Sequence, residues 1–571
     1  MLHSLDVAVI VSYLVALVIA GVWLAKRAGE SSEHYFLGGR KLPWWALGAS
    51  GMSSNLDVAG TMTIVTLLTV FGLQGFFIEM RGGVVLPIAV FLAFMGKWHQ
   101  RSNVMTTAEW MKLRFGAGAG GRAARATAAL TYVVLTVAMI VFFLSAGGKF
   151  LAEFLPFTPT QCAVGMALLA FGYTLVGGLY GVIWTDVFQA FLIGGAAVYV
   201  SVVAAGQVSP ELLAAWPGAE LNSFLPMVGG HEGLSDYEPF WFFLLIWAFK
   251  GVLEGLGGSG GSAYMAQRFY AAGSERDCRK IAMLWTVLFA ARWPMVLGFA
   301  ILAIKLGLDV STLEDAEAVL PAVLGSEFFP AGLRGLVLAA MLAAAMSTFD
   351  STINAGASYV VKDLYEVWRP AATDRQRVWA GYIASTLLVV AGLLISLALG
   401  GSVLGVWVGI VMLLFPAFLV PFALRWFWAR FNGAGFAIGT AGGFAGALFF
   451  ALVNPAGWNE VTRFLGIAGV SLGAALIGTL ATRPVAVETL ENFYRQIRPL
   501  GWWPRAWKAA DVAEHRRDVV TLVAALVWQI VTFLLPMAAV LGRWTEAAVM
   551  TPVWLVLAVW LWRGSRERPA N

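Results

Sequence analysis

Apolar runs of about 20 residues recur along the chain, each closed by a short polar loop. A helix of that length crosses the hydrocarbon of a bilayer, so each run predicts a transmembrane helix. Fifteen are expected, near residues 5–26, 44–72, 76–98, 124–152, 159–177, 181–205, 239–257, 281–307, 333–361, 378–400, 403–426, 433–453, 462–481, 518–541 and 546–563. The ninth is unlike the rest. Within it Ala344, Ser347, Thr348, Ser351 and Ser358 fall at helical spacings and form one stripe on one face. Hydroxyls in hydrocarbon are costly unless paired. With Asp350 beside it, the stripe predicts either a face turned to a polar interior or an ion, or a close helix–helix contact.

The 571 residues are 59% hydrophobic and 12% charged, whereas soluble domains carry about 25% charged residues. An all-α polytopic protein of the inner (plasma) membrane is expected. The first run lacks a basic start, so a cleavable signal peptide is not expected. Lys26, Arg27, Arg40 and Lys41 follow span one; Lys97, Arg101, Lys112, Arg114, Arg122 and Arg125 follow span three; Arg268, Arg276, Arg279 and Lys280 follow span seven. The loop 206–238 has no Lys or Arg but holds Glu211, Glu220, Glu232, Asp236 and Glu238. Basic loops stay in the cytoplasm, so the N-terminus is expected outside and the C-terminus, with Arg563, Arg566 and Arg568, inside. The net charge of +5 reflects this basic rim, so nucleic acid is not an expected partner. Residues 483–516 mix Trp502, Trp503 and Trp507 with Arg498, Arg505 and Lys508, which predicts a cytoplasmic interfacial segment.

Candidate chemistry is sparse. Cys162 and Cys278 are expected at opposite membrane faces, and His3, His34, His99, His231 and His515 all fall in expected loops. A histidine relay or metal cage is therefore not expected. No HExxH, nucleotide loop or GxSxG elbow occurs, which argues against an enzyme. The run Glu254 to Ser262 (EGLGGSGGS) holds Gly257, Gly258, Gly260 and Gly261. Glycine this dense weakens a helix, so either a break facing a central cavity or close helix packing is predicted.

Six segments resemble, in order, motifs of the sodium:solute symporter family: YFLGGRKLPWW (35–45), ASGMSSNLD (49–57), TTAEWMKLRFG (106–116), GGLYGVIWTDVFQ (177–189), AQRFYAAGSERDCRK (266–280), and AAAMSTFDS (343–351) followed by KDLY. The resemblance spans roughly residues 5–480. It implies a LeuT-type core of two inverted five-helix repeats with broken first and sixth core helices and extra N- and C-terminal helices. The implied layout is an N-terminal helix and loop (1–43), first repeat (44–206), extracellular loop (207–238), second repeat (239–430), two peripheral helices (431–482), the cytoplasmic segment (483–517), and two final helices with a basic tail (518–571).

The same resemblance implies a sodium site built from the carbonyls of Ser53, Leu56 and Ala344 and the hydroxyls of Ser347 and Thr348. It places Asp186 near that site, as a second-ion or coupling residue with Asp57 and Ser351; a structural ion pair for Asp186 stays open. Asp57 stands in the expected unwound region, where an ion-site charge, a contact to a cationic solute group and a helix cap are all possible. Asn55 and Glu79 match sugar-contacting positions of the family, while Ser262 stands where sugar carriers place an asparagine. Lys250 and Glu254 form an i,i+4 pair of opposite charge, and Arg81 is near enough in sequence to pair with an acid. The implied activity is sodium-coupled symport of a small polar solute, with a sugar or polyol leading and an amino acid, carboxylate or amine-bearing solute open. A membrane sensor that kept the transporter fold is the rival from another class. Sodium, the solute and the bilayer are the expected partners; no cofactor and no obligatory protein partner is expected.

Overall fold

A computed structural model of the chain describes residues 2–28, 40, 42–216, 221–228, 234, 237–258, 263–308, 310, 317–399, 402–453 and 458–564. Among the described residues the regular elements are helices, with one isolated bridge between Trp428 and Trp502. The helices that frame the site are α1 (Ser4–Ala28), α2 (Trp44–Asn55), α3 (Val58–Phe71), α4 (Ala119–Ala152), α5 (Pro159–Ala205), α6 (Phe240–Leu256), α7 (Ala263–Tyr270), α8 (Arg292–Lys305), α9 (Leu333–Tyr359), α10 (Val487–Ile497) and α11 (Val512–Val540).

Ten helices among the described residues are long and apolar enough to cross a membrane, and α2 with α3 makes an eleventh if that bent pair is one span. The other four expected spans fall on shorter or interrupted helix. The third is divided at Gly82–Leu86 and carries a π-helical turn at Phe91–Met95. The fifth and sixth join into the single helical run of α5, so no loop separates them. The first, along α1, has only Ser4–Ala20 as a shorter apolar stretch, and the seventh, α6, has 17 residues.

The centre of the molecule is α9, in which every residue from Val337 to Tyr359 is buried. Its alanines, serines and threonines lack bulk, so α1, α2, α4 and α5 all pack directly against it. α2 also lies on the helix Glu275–Phe289. A Cβ on Gly51 would sit 2.2 Å from the Trp285 ring, so that contact requires glycine.

In the segment 483–516, expected to be a cytoplasmic interfacial segment, α10 lays an apolar face on the protein. Leu490, Phe493, Tyr494 and Ile497 of α10 are buried. The Trp503 indole donates to the Trp426 carbonyl (3.1 Å), and Arg101 donates to the Ile497 carbonyl (2.9 Å). The Arg114 guanidinium lies 5.4 Å from the Phe493 ring centroid and 5.0 Å from that of Trp503, so the aromatic residues have a cationic protein surface to cover.

Candidate ion and solute site

The chain unwinds between Asn55 and Val58, and the axes of α2 and α3 differ by 60°. Leu56 (φ −108°, ψ 92°) and Asp57 (φ −115°, ψ 163°) are extended. Asp57 restarts the helix by capping it: its Oδ1 accepts from the Gly60 amide at 2.5 Å. A helix that stops leaves its last carbonyls without intrahelical donors. Here the Ser53 carbonyl accepts from the Leu56 amide (3.2 Å) and the Asn55 carbonyl accepts from Arg292 Nη1 (3.0 Å).

A second helix, α6, ends within the glycine run. α6 stops at Leu256 and α7 begins at Ala263; Gly258 has φ +73°, and a Cβ there would meet His99 and Trp426 at 2.9 Å. The end of α6 is held by side chains. Arg425 donates to the Gly257 carbonyl at 2.8 Å, and His99 Nε2 lies 2.6 Å from the Gly258 carbonyl. His99 is thus in a helix, Gly96–Ser102, and buried, not in the loop the sequence suggests; Ser262 and residues 259–261 lie outside the described residues.

The hydroxyl stripe of α9 faces α2 and α5. Ser347 donates to Asp186 Oδ1 at 2.5 Å. Ser50 donates to Asp186 Oδ2 at 2.5 Å, and Ser53 donates to the Asp186 carbonyl at 3.0 Å. Ser54 lies 2.7 Å from the Ser351 hydroxyl. Thr348 donates to the Ala344 carbonyl one turn back, at 3.0 Å. All of these residues are buried, as is Leu56 at the break. The structure therefore brings Ser53, Asp186, Ser347 and Ser351 into one cluster. It adds three residues not singled out from sequence: Ser50, Ser54 and Arg268. Ser50, Ser53 and Ser54 share one face of α2 by their three- and four-residue spacing, a signal as readable as the α9 stripe. Arg268 offered no such signal.

A second polar group gathers on the α3 side of the break. The Tyr264 hydroxyl donates to Asn55 Oδ1 at 3.0 Å. Glu79 Oε1 accepts from the Trp407 indole (3.1 Å) and the Gly83 amide (3.0 Å). Arg292, 3% exposed, reaches in from α8; a Cβ on Gly60 would meet its Nη2 at 2.5 Å and either Asp57 carboxylate oxygen at 3.4 Å. Its Nε and Nη2 are buried without a hydrogen-bond partner among the described residues. Lys250 pairs with Glu254 as its spacing predicts, and also donates to the Arg81 carbonyl. Arg81 pairs with both oxygens of Glu460 at 2.6 Å, an acid nearly 400 residues away in sequence.

A model of the sodium:solute symporter family matches residues 35–443. The sodium/glucose cotransporter of Vibrio parahaemolyticus is 26% identical over 495 residues, 78% of this chain and 85% of that protein. The sodium/sialic acid symporter SiaT of Proteus mirabilis is 23% identical over 405 residues (69% and 77%), and the sodium/myo-inositol cotransporter 2 of Bos taurus 26% over 478 (76% and 68%). Among solved structures, the substrate-bound outward-open state of a Na+-coupled sialic acid symporter superposes with a TM-score of 0.70 at 20% identity, covering 85% of this chain and 99% of that one. That likeness shows the fold: an all-helical LeuT-type transporter.

Proposed function

The chain belongs to the sodium:solute symporter family, which makes it a multi-pass sodium-coupled transporter and not an enzyme; we propose that its solute is a sugar or polyol, moved by alternating access. The observation that carries this reading is the meeting of the α2 break with the α9 hydroxyls around buried Asp186. Sodium needs hard oxygen ligands, and broken helices supply them as carbonyls. The proposed ligands are the carbonyls of Ser53, Leu56 and Ala344 and the hydroxyls of Ser347 and Thr348. Asn55, Glu79 and Tyr264 offer hydrogen-bonding groups for the hydroxyls of a solute beside the break, in keeping with the sugar, inositol and sialic acid named for the relatives. One charge crossing 100 mV releases about 2.3 kcal/mol, enough for a solute gradient of roughly fiftyfold.

A second reading has one observation of its own. The two nitrogens of Arg292 that lack a hydrogen-bond partner among the described residues suit a carboxylate, so an acidic sugar or another carboxylate-bearing solute is the alternative. The repeats are proposed at 44–206 and 239–430, with the N-terminus outside and residues 483–516 in the cytoplasm. Thermal melting of purified protein against sugars, polyols, amino acids and carboxylates, in sodium and in potassium, tests the substrate class. Stabilisation by a polyhydroxylated solute in sodium alone supports the reading; stabilisation only by amino acids overturns it.

A further inference from the structure

The segment 486–508 is held on two sides, and the two sets of contacts belong to different proposed repeats. On one side Arg101, in the helix Gly96–Ser102, donates to the Ile497 carbonyl at 2.9 Å, and Gln496 donates back to the Arg101 and Ser102 carbonyls at 2.9 and 3.3 Å. The Phe493 and Trp110 rings meet edge to face, their centroids 5.2 Å apart. On the other side lies the end of the helix Phe415–Phe427. The Trp502 amide donates to the Phe427 carbonyl at 2.6 Å, the Ala429 amide donates to the Trp502 carbonyl at 3.2 Å, and the Trp503 indole donates to the Trp426 carbonyl at 3.1 Å. Glycine permits this approach: Gly501 has φ +122°, and a Cβ there would lie 2.2 Å from the Phe427 carbonyl oxygen. The segment follows the matched residues 35–443 in the chain.

We infer that residues 486–508 are a strap that closes the solute path toward the cytoplasm, and that the end of the helix Phe415–Phe427 leaves the strap each time the protein opens inward. The inference rests on the alternating access and the topology proposed above and adds the part that gates them.

Three features carry it. First, the helix end that the strap holds also holds the end of α6. The Trp426 indole donates to the Gly257 carbonyl at 3.4 Å, and Arg425 donates to the same oxygen at 2.8 Å. Two hydrogen bonds in series, Trp503 to Trp426 and Trp426 to Gly257, thus join the strap to the glycine run. Second, the two sides are unequally fastened. On the side of the first proposed repeat, α10 buries Leu490, Phe493, Tyr494 and Ile497, and the Tyr494 hydroxyl donates to Asp511 at 3.1 Å. α11 continues that fastening with charge-assisted bonds: Glu514 accepts from Lys97 at 2.5 Å and from Arg101 at 2.9 Å, and Asp518 accepts from Lys97 at 2.8 Å. The side toward the helix Phe415–Phe427 is made by the three hydrogen bonds above and, among the described residues, no ion pair, so it is the side that parts. Third, alternating access rocks one repeat against the other. A segment bound to residues 101–114 and to residues 426–429 at the proposed cytoplasmic end must release one of them for that end to open.

The test ties the strap down. Trp428 and Trp502 are bridge partners, near enough for a disulfide, and the native Cys162 and Cys278 are buried. In the full chain carrying Trp428→Cys and Trp502→Cys, oxidation with copper phenanthroline is expected to cut the uptake of radiolabelled glucose or myo-inositol into proteoliposomes by about tenfold or more, and dithiothreitol to restore it. The rise of melting temperature with sodium is expected to keep its midpoint within about twofold, because the outer side stays open to the ion. Uptake unchanged by oxidation overturns the inference. No uptake of either solute before oxidation overturns the sugar reading alone, and hydrogen exchange on wild type then decides the strap, as it does if the double variant fails to fold. The Trp502 and Ala429 amides are expected to exchange about threefold or more faster in one of sodium and potassium than in the other, since the ion shifts the balance of open and closed states. Equal rates in the two salts overturn the inference.

Discussion

Asp186 and Arg268 are separated by 3.5 Å and by 82 residues of sequence, and neither is exposed to solvent. A buried ion pair is costly to break from one side because the surviving charge stays in a low-dielectric site; the cost is about 3–5 kcal/mol. Sequence alone suggests that Asp186→Asn alters sodium affinity and spares folding. The structure changes that expectation. Asp186→Asn should lower the melting temperature markedly, and the double variant Asp186→Asn/Arg268→Met should recover part of the loss. A double-mutant cycle of melting curves measures the coupling, and additive losses would contradict the pairing.

Asp57 is a helix cap by geometry, its carboxylate 2.5 Å from the Gly60 amide. Asp57→Ala should cost about 1 kcal/mol, and Asp57→Asn much less because asparagine caps equally well. If Asp57 also serves the ion site, Asp57→Asn will raise the sodium midpoint while leaving the melting temperature close to wild type. Melting curves and sodium titrations on the same two variants separate the duties.

Arg292 has two buried nitrogens without a hydrogen-bond partner among the described residues. A hydrogen bond to a charged group contributes roughly 1.5–3 kcal/mol, or about ten- to more than a hundredfold in affinity. Arg292→Met should therefore weaken an acidic sugar by that factor and a neutral polyol far less. Calorimetric titration with both probes reads the ratio; equal losses would remove the carboxylate reading.

The placement of the chain in the membrane makes its own prediction. Ser223→Cys should react with an impermeant thiol reagent on intact cells, and Lys508→Cys should react only after the membrane is opened. Reaction of position 508 from outside would reverse the topology.

Much of the fold is legible in the chain because membrane helices announce themselves by length and apolarity. The end of α6 at Leu256 is legible from glycine density, and the α9 stripe from its spacing. What escaped depends on contacts distant in sequence. Ser351, Arg268 and Asp186 meet only when three helices pack, and no local pattern marks Arg268 as their shared partner. Arg292 sits in an apolar run with nothing nearby in sequence to name the Asn55 carbonyl it binds, 237 positions away. The α5 run is hard to see as continuous because its glycine-rich stretch 177–181 (GGLYG) weakens a helix on sequence grounds, although its backbone is helical. The protein contacts of the segment 483–516 stay hidden because an amphipathic aromatic face has the same composition whether it covers lipid or protein.

The most direct test of sodium coupling at this site is the melting temperature of the purified protein, titrated with sodium at constant ionic strength in potassium, for wild type, Ser347→Ala and Thr348→Ala. The account predicts a saturable rise with sodium in wild type and a midpoint raised roughly tenfold in each variant, about 1.4 kcal/mol for one lost oxygen ligand. Three identical titration curves would show that the stripe on α9 is a packing face and contradict the ion site.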